Sequence, residues 1–253
     1  LKTASLILAT VVIILLARPA KAAELVVSAA ISLKDAFLEI ASDFRKAQPG
    51  TEITFNFAGS GELSRQIERG APVDVFASAS RDEMARLNTK HLLINDSLIN
   101  FARNTLVVVE PEGQRPISSL NELAKKESIA IGNPVTVPAG RYAREALSRC
   151  GIYDKLQAEQ KLVFAESVRQ VLTYVEKGSV DAGLVYTSDA ANSRQAKVAC
   201  QIPTVFTEPI IYPVSLIAGS RHVKLGRSFI DFLKTDAAAR ILRSKGFLPV
   251  NCK

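Results

Sequence analysis

Histidine and cysteine are scarce in this chain, and no catalytic signature can be found in it. Its 253 residues hold two histidines, His91 and His222. They stand far apart and outside any metal-ligand spacing, so both read as ordinary surface or capping residues. A nucleophile-elbow serine is missing, and so is a phosphate-loop lysine motif. AGSGELS (58–64) imitates the opening of a dinucleotide fingerprint. Ser64 replaces its third glycine, however, and no acid stands at the end of the next strand, where ribose recognition needs one. Together these absences speak against an enzyme. The three cysteines, Cys150, Cys200 and Cys252, are spaced too widely for a metal motif. In an oxidising compartment they allow at most one bridge, and isolated buried thiols are the simpler expectation. Like charges form no blocks, which removes the usual mark of a nucleic-acid partner. The chain also lacks repeats, low-complexity tracts and an obvious linker, as one compact unit would.

No apolar run reaches the roughly 20 residues that a membrane-spanning helix needs. Ala4 to Leu16 comes nearest. Lys2 before it and Ala20-Lys21-Ala22 after it give the pattern of a secretory signal peptide, expected to occupy residues 1–22. With no cysteine near the cleavage point, a lipid anchor is not expected. The segment carries Lys2, Arg18 and Lys21 and no acid, so cleavage lowers the formal charge from +7 to +4. A mild positive field can steer an anion but does not say where it binds.

What the chain does contain is alternation. Strand-like runs at 24–30, 51–58 and 73–79 are separated by amphipathic helices, the first with Ala36, Phe37, Ile40 and Phe44 on one face. After the apolar run 104–109 the same pattern restarts, with strands at 128–132, 161–165 and 182–186 and helices at 140–149 and 167–177. YPVSLIAG (212–219) leads back to the first half, and two helices near 226–234 and 237–245 end the chain. The fold class expected is α/β: two lobes, each a mixed, mostly parallel sheet flanked by helices, with a ligand cleft between them. Residues 23–105 plus 217–253 are assigned to the first lobe and 106–216 to the second.

Small or hydroxylated residues recur where a strand hands over to a helix. Ser32 has Asp35 three places later, close to a capping box. Ser60 lies between Gly59 and Gly61, Pro138-Ala139-Gly140 opens a third helix, and Ser167-Val168 a fourth. Each such terminus offers unpaired backbone N–H groups and the positive end of a helix dipole. Several converging on one cleft would bind an anion without any formal positive charge. Taken singly, Ser32 and Ser60 read by default as caps, Tyr186 as packing at a strand end, and Ala139 and Val168 carry no polar side chain at all.

Ordered blocks alter that reading. AAISLKDAF (29–37), FAGSGELSRQIERGAPVDVFASAS (57–80), NTLVVVEP (104–111), GNPVTVPAGRYAREAL (132–147), AESVRQVL (165–172) and AGLVYTSDA (182–190) follow one another in register. In these the chain resembles the periplasmic molybdate-binding protein family, ModA, along essentially its whole length after residue 22. The resemblance implies a type II-like periplasmic-binding-protein fold and a periplasmic monomer. Its ligand would be molybdate, with tungstate or sulfate as the alternative, and its partner the membrane permease of an ABC importer. It implies no cofactor, and molybdenum only as the oxyanion. The family's ligand positions fall on Ser32 and Ser60, through hydroxyl and backbone N–H, on Ala139 and Val168, through backbone N–H alone, and on the phenol of Tyr186. Departures are modest: Ile31 stands where a smaller residue is common, Gly59 where Ser is frequent, and Lys34 and Asp35 lie near the mouth. A site made only of donors disfavours protonated phosphate, whose hydrogen would meet no acceptor, at about 1–3 kcal/mol. Cavity size would then reject sulfate but not separate molybdate from tungstate.

Overall fold

The computed structural model describes residues 23–114, 116–191 and 193–250; the expected signal segment 1–22 and Cys252 lie outside the described residues. Strand β1 (Ala23–Ala30) runs into a short 3-10 turn, Ile31–Leu33, and then into helix α1 (Lys34–Ala47). Apolar residues three and four apart bury Ala36, Phe37, Ile40, Ala41 and Phe44 of α1, as the period predicts. Strand β2 (Thr51–Ala58) pairs in parallel with β1 and leads into α2 (Ser60–Glu68). Strand β3 (Val75–Ala77) pairs in parallel on the other side of β1 and is followed by α3 (Arg81–Thr89). Phe37 and Phe44 of α1 pack edge-on against Phe229 at ring separations of 5.9 and 5.4 Å. Edge-to-face pairs add about 0.5–1.5 kcal/mol each beyond area burial, so α1, and the turn before it, is held firmly to this lobe.

Strand β4 (Ile99–Asn104) belongs to the first sheet and β5 (Leu106–Pro111) to the second, with Thr105 between them. The second lobe then builds β6 (Ile129–Gly132), α4 (Pro138–Arg149), α5 (Tyr153–Ala158), β7 (Leu162–Ala165), α6 (Val168–Glu176), β8 (Ala182–Tyr186), the short α7 (Thr187–Ala190) and β9 (Ala196–Gln201). The chain returns through β10 (Ile210–Leu216) and closes with α8 (Val223–Phe232), α9 (Asp236–Ser244) and β11 (Leu248–Pro249). The sheets have the orders β11-β4-β10-β3-β1-β2 and β7-β6-β8-β5-β9.

Both sheets are mixed, and more so than the alternation implies. Parallel pairs join β1 to β2 and β3, and β6 to β7 and β8. The strands that carry the chain between lobes run back against their neighbours, so β10 is antiparallel to β3 and β4, and β5 to β8 and β9. The return crossing also lies upstream of the expected boundary at 217. All seven residues of β10 are buried, and Ile210 already stands opposite Asn104 of the first sheet. Pro213, which cannot donate to a ladder, is accommodated inside the sheet by a register shift between Tyr212 and Pro213.

Candidate functional site

Five helical or turn N-termini end at the junction of the two sheets, and each presents one of the residues expected from sequence. Ser32 sits in the 3-10 turn after β1 and is buried. It does not cap α1, whose N-cap is Leu33 with no side-chain bond; its Oγ lies 3.0 Å from the Tyr212 hydroxyl. Ser60 is the first residue of α2, behind Gly59 as N-cap, and it too makes no capping bond. Its Oγ accepts a hydrogen bond from the backbone N–H of Ala79 at 3.0 Å. The default reading of both serines as caps therefore fails, because each side-chain oxygen is bonded to a neighbouring element rather than to its own helix.

Ala139 is the second residue of α4, after Pro138, which suits a first helical turn because it has no N–H to leave unpaired. Gly140 beside it packs so closely on the end of β6 that a Cβ there would run into the Gly132 carbonyl. Val168 opens α6, capped by Ser167, whose side chain accepts from Gln170 N at 3.2 Å. α6 lies tight on β8, since a Cβ on Gly183 would come within 2.7 Å of Val175 and 2.9 Å of Val171. These contacts fix where the free N–H groups of two helix starts point. Tyr186 ends β8; its ring is buried edge-on to Tyr212 at 5.9 Å. Its hydroxyl has no hydrogen-bond partner among the described residues. Burial pushes the phenol well above its ordinary pKa, so it stays protonated and able to donate.

All five residues line one cavity, together with Ala30, Ile31, Ala58, Gly59, Ala79, Val137 and Pro138. No charged side chain is among them. The cavity is small, with about 220 Å³ of empty space between its walls. Organic ligands occupy roughly 300–1,000 Å³. Four N–H-rich corners with dipoles directed inward, two hydroxyls and a neutral phenol make a small, donor-rich chamber suited to a compact anion.

Charges stand at the rim instead. Arg169 of α6 donates to Asp35 of α1 at 2.7 Å. Arg141 of α4 pairs with Asp82 of α3 and donates to Ser80 Oγ at 2.8 Å. Both join the first lobe to the second across the cleft, so the lobes are closed on one another. Gly61 shows how tightly, since a Cβ there would sit 2.5 Å from the Thr136 carbonyl oxygen of the other lobe. Asp189 of α7 is fully buried, and burial raises its carboxyl pKa to about 7 against the opposing pull of Arg169.

Sequence reasoning missed Tyr212 and Ala79, which bond the two serines, Asn104, which reaches Tyr212, and the closeness of Gly61 to Thr136. His91 and His222 lie outside the cavity, and His222 Nδ1 faces Asp74 at 3.2 Å. Cys150 and Cys200 are free thiols. Among the described residues no cluster of three or more His, Cys, Asp or Glu side chains is placed to hold a metal ion. No helix there is long and apolar enough to cross a membrane.

The profile of the bacterial extracellular solute-binding protein family matches residues 25–248. The molybdate-binding protein ModA of Haemophilus influenzae is 36% identical over 236 residues, covering 90% of this chain and 91% of that protein. Its namesake from Escherichia coli K12 is 36% identical over 231 residues, 88% of each chain. Among solved structures, the periplasmic molybdate-binding protein of Azotobacter vinelandii superimposes with a TM-score of 0.82 at 25% identity, covering 88% of this chain and 98% of that one.

Proposed function

The chain belongs to the bacterial extracellular solute-binding protein family, in its ModA branch, and from that premise we propose that it captures the molybdate dianion between its lobes and delivers it to the permease of an ABC importer. Ser32 and Ser60 donate from the first lobe through hydroxyl and backbone N–H. Ala139 and Val168 donate backbone N–H from the second, and Tyr186 its phenol. The protein works in the periplasm as a monomer after loss of residues 1–22, and it needs no cofactor, since molybdenum arrives as the oxyanion. Residues 23–105 and about 210–250 form one lobe and 106–209 the other.

One observation carries this reading: five residues from five separate stretches of chain meet around a cavity without a charged side chain. Hydrogen bonds to a charged acceptor contribute roughly 1.5–3 kcal/mol each. About seven donors then offset the desolvation of two charges and leave something near the −8 kcal/mol of a micromolar ligand, or better. Donors from both lobes are satisfied together only when the lobes meet, so the anion stabilises the closed form. The importer's permease then reads that closed form.

Titration calorimetry of the apo protein with molybdate, tungstate, sulfate and phosphate tests the proposal. Molybdate and tungstate are expected to bind alike, sulfate more weakly and phosphate least. In a Ser60→Ala, Ala139→Leu double variant the molybdate-dependent rise in melting temperature is expected to vanish. A rise equal to that of the wild type would contradict the site.

A further inference from the structure

Behind Ser32 a buried polar chain runs from the lobe crossing to the cavity, and its direction can be read from one end. Asn104 closes β4 and is buried. The backbone N–H of Thr105 donates to Asn104 Oδ1 at 2.9 Å. A backbone N–H can only donate, so this bond fixes the amide with its NH2 group turned the other way. That NH2 donates to Ser188 Oγ at 2.8 Å and to the Tyr212 hydroxyl oxygen at 3.4 Å. The Tyr212 oxygen lies in turn 3.0 Å from Ser32 Oγ. Tyr212 is fully buried, and burial keeps its phenol protonated far above the neutral range. It has a single hydrogen. With its oxygen receiving from Asn104, that hydrogen goes to Ser32 Oγ, and the hydrogen of Ser32 is left for the cavity.

We infer that Asn104 and Tyr212 are positioning residues that set the polarity of Ser32, making it a donor to the bound oxyanion. This rests on the cavity being the oxyanion site. Ser60 reaches the same state in one step, because the Ala79 N–H occupies its acceptor side. The two hydroxyls thus gain the same polarity by different routes, one local and one relayed across the lobe junction. A cavity whose hydroxyls both have their hydrogens free to turn inward favours an anion without hydrogen over one that carries it. Selectivity against protonated anions is therefore written partly at position 104, outside the cavity lining.

Asn104→Asp reverses the chain. The introduced carboxylate keeps the Thr105 bond but has no hydrogen to give, so Tyr212 turns its hydrogen to that carboxylate and Ser32 turns its own to Tyr212. Ser32 then shows the cavity a lone pair. Calorimetry is expected to give a molybdate Kd raised at least 100-fold, with the ratio of hydrogenphosphate to molybdate affinity rising. Tyr212→Phe alone leaves Ser32 free to donate and loses less than 10-fold. Adding Tyr212→Phe to Asn104→Asp cuts the relay and recovers at least 10-fold. If the double variant binds as weakly as Asn104→Asp, the carboxylate acts by its field alone and the relay is overturned. Asn104→Asp within 3-fold of the wild type also overturns it. A wild type that does not bind molybdate removes the site itself, and the relay with it. Neutron diffraction of the deuterated, molybdate-loaded wild type reads the same point without substitution. Deuterium is expected on Tyr212 toward Ser32 and on Ser32 toward the anion; the opposite placement would overturn the inference.

Discussion

Replacing Gly61 by alanine separates stability from binding more cleanly than any other single change. Gly61 is the second residue of α2 and its φ is not positive, so alanine fits the helix and gains up to about 1 kcal/mol in propensity. The added methyl, however, would stand 2.5 Å from the Thr136 carbonyl oxygen and 3.2 Å from its carbon, both on the opposite lobe. Ordinary contact is about 3.5 Å, so the lobes must part locally by roughly 1 Å. A hydrogen bond of about 2.8 Å stretched by that amount leaves the bonding range. Losing even two bonds to a charged acceptor costs at least about 3 kcal/mol, or roughly 100-fold in Kd. Calorimetry and melting of the apo protein, run side by side, check both halves. Apo stability is expected to hold or rise while molybdate affinity falls about 100-fold. A Kd within threefold of the wild type would refute the argument that full closure of these two surfaces is what completes the site.

Two further substitutions probe single groups. Tyr186→Phe removes one buried donor and nothing else, so it is expected to raise the molybdate Kd by roughly 10- to 150-fold with little change in apo melting; an unchanged Kd would take the phenol out of the ligand set. Asp189→Asn tests the buried carboxyl. Its folded pKa of about 7 lies above the ordinary 3.8, so the folded state holds a proton that the unfolded state releases, and stability falls as pH rises from about 4 to 7. The asparagine variant lacks that slope, and its advantage over the wild type is expected to grow across the same window by about 4 kcal/mol at most. Melting curves that run parallel from pH 4.5 to 8 would contradict the assignment.

The α/β alternation, the amphipathic face of α1 and the strand–helix handovers were legible because each is a local pattern of period two or 3.6. α3, α5, β4 and β9 were not. They are short and half-polar, and their stabilisation comes from neighbours distant in sequence. The expected lobe boundary at 217 missed the return strand for a similar reason, since IIYPVSL reads as a buried strand but does not say which sheet buries it. At the site, Ser32 and Ser60 carried a signal in residue type. Ala139 and Val168 carried none, because a backbone N–H looks the same in every residue, and only the ordered family blocks pointed to them. Tyr212 and Asn104 were beyond reach altogether. Tyr212 stands 180 positions from Ser32, and a buried tyrosine in a strand reads as packing until its hydroxyl is seen to face a serine. Gly61 belonged to a loop that imitates a dinucleotide fingerprint, and the other lobe's backbone, rather than a phosphate, explains why it has no side chain.

A crystal structure of the protein loaded with molybdate tests the central claim most directly. The account predicts the anion between the lobes, within hydrogen-bond distance of Ser32, Ser60, Ala139, Val168 and Tyr186, with every contact from a neutral donor and the Arg169 and Arg141 guanidinium groups still at the rim. An anion bound elsewhere, or gripped directly by an arginine or lysine, would contradict it.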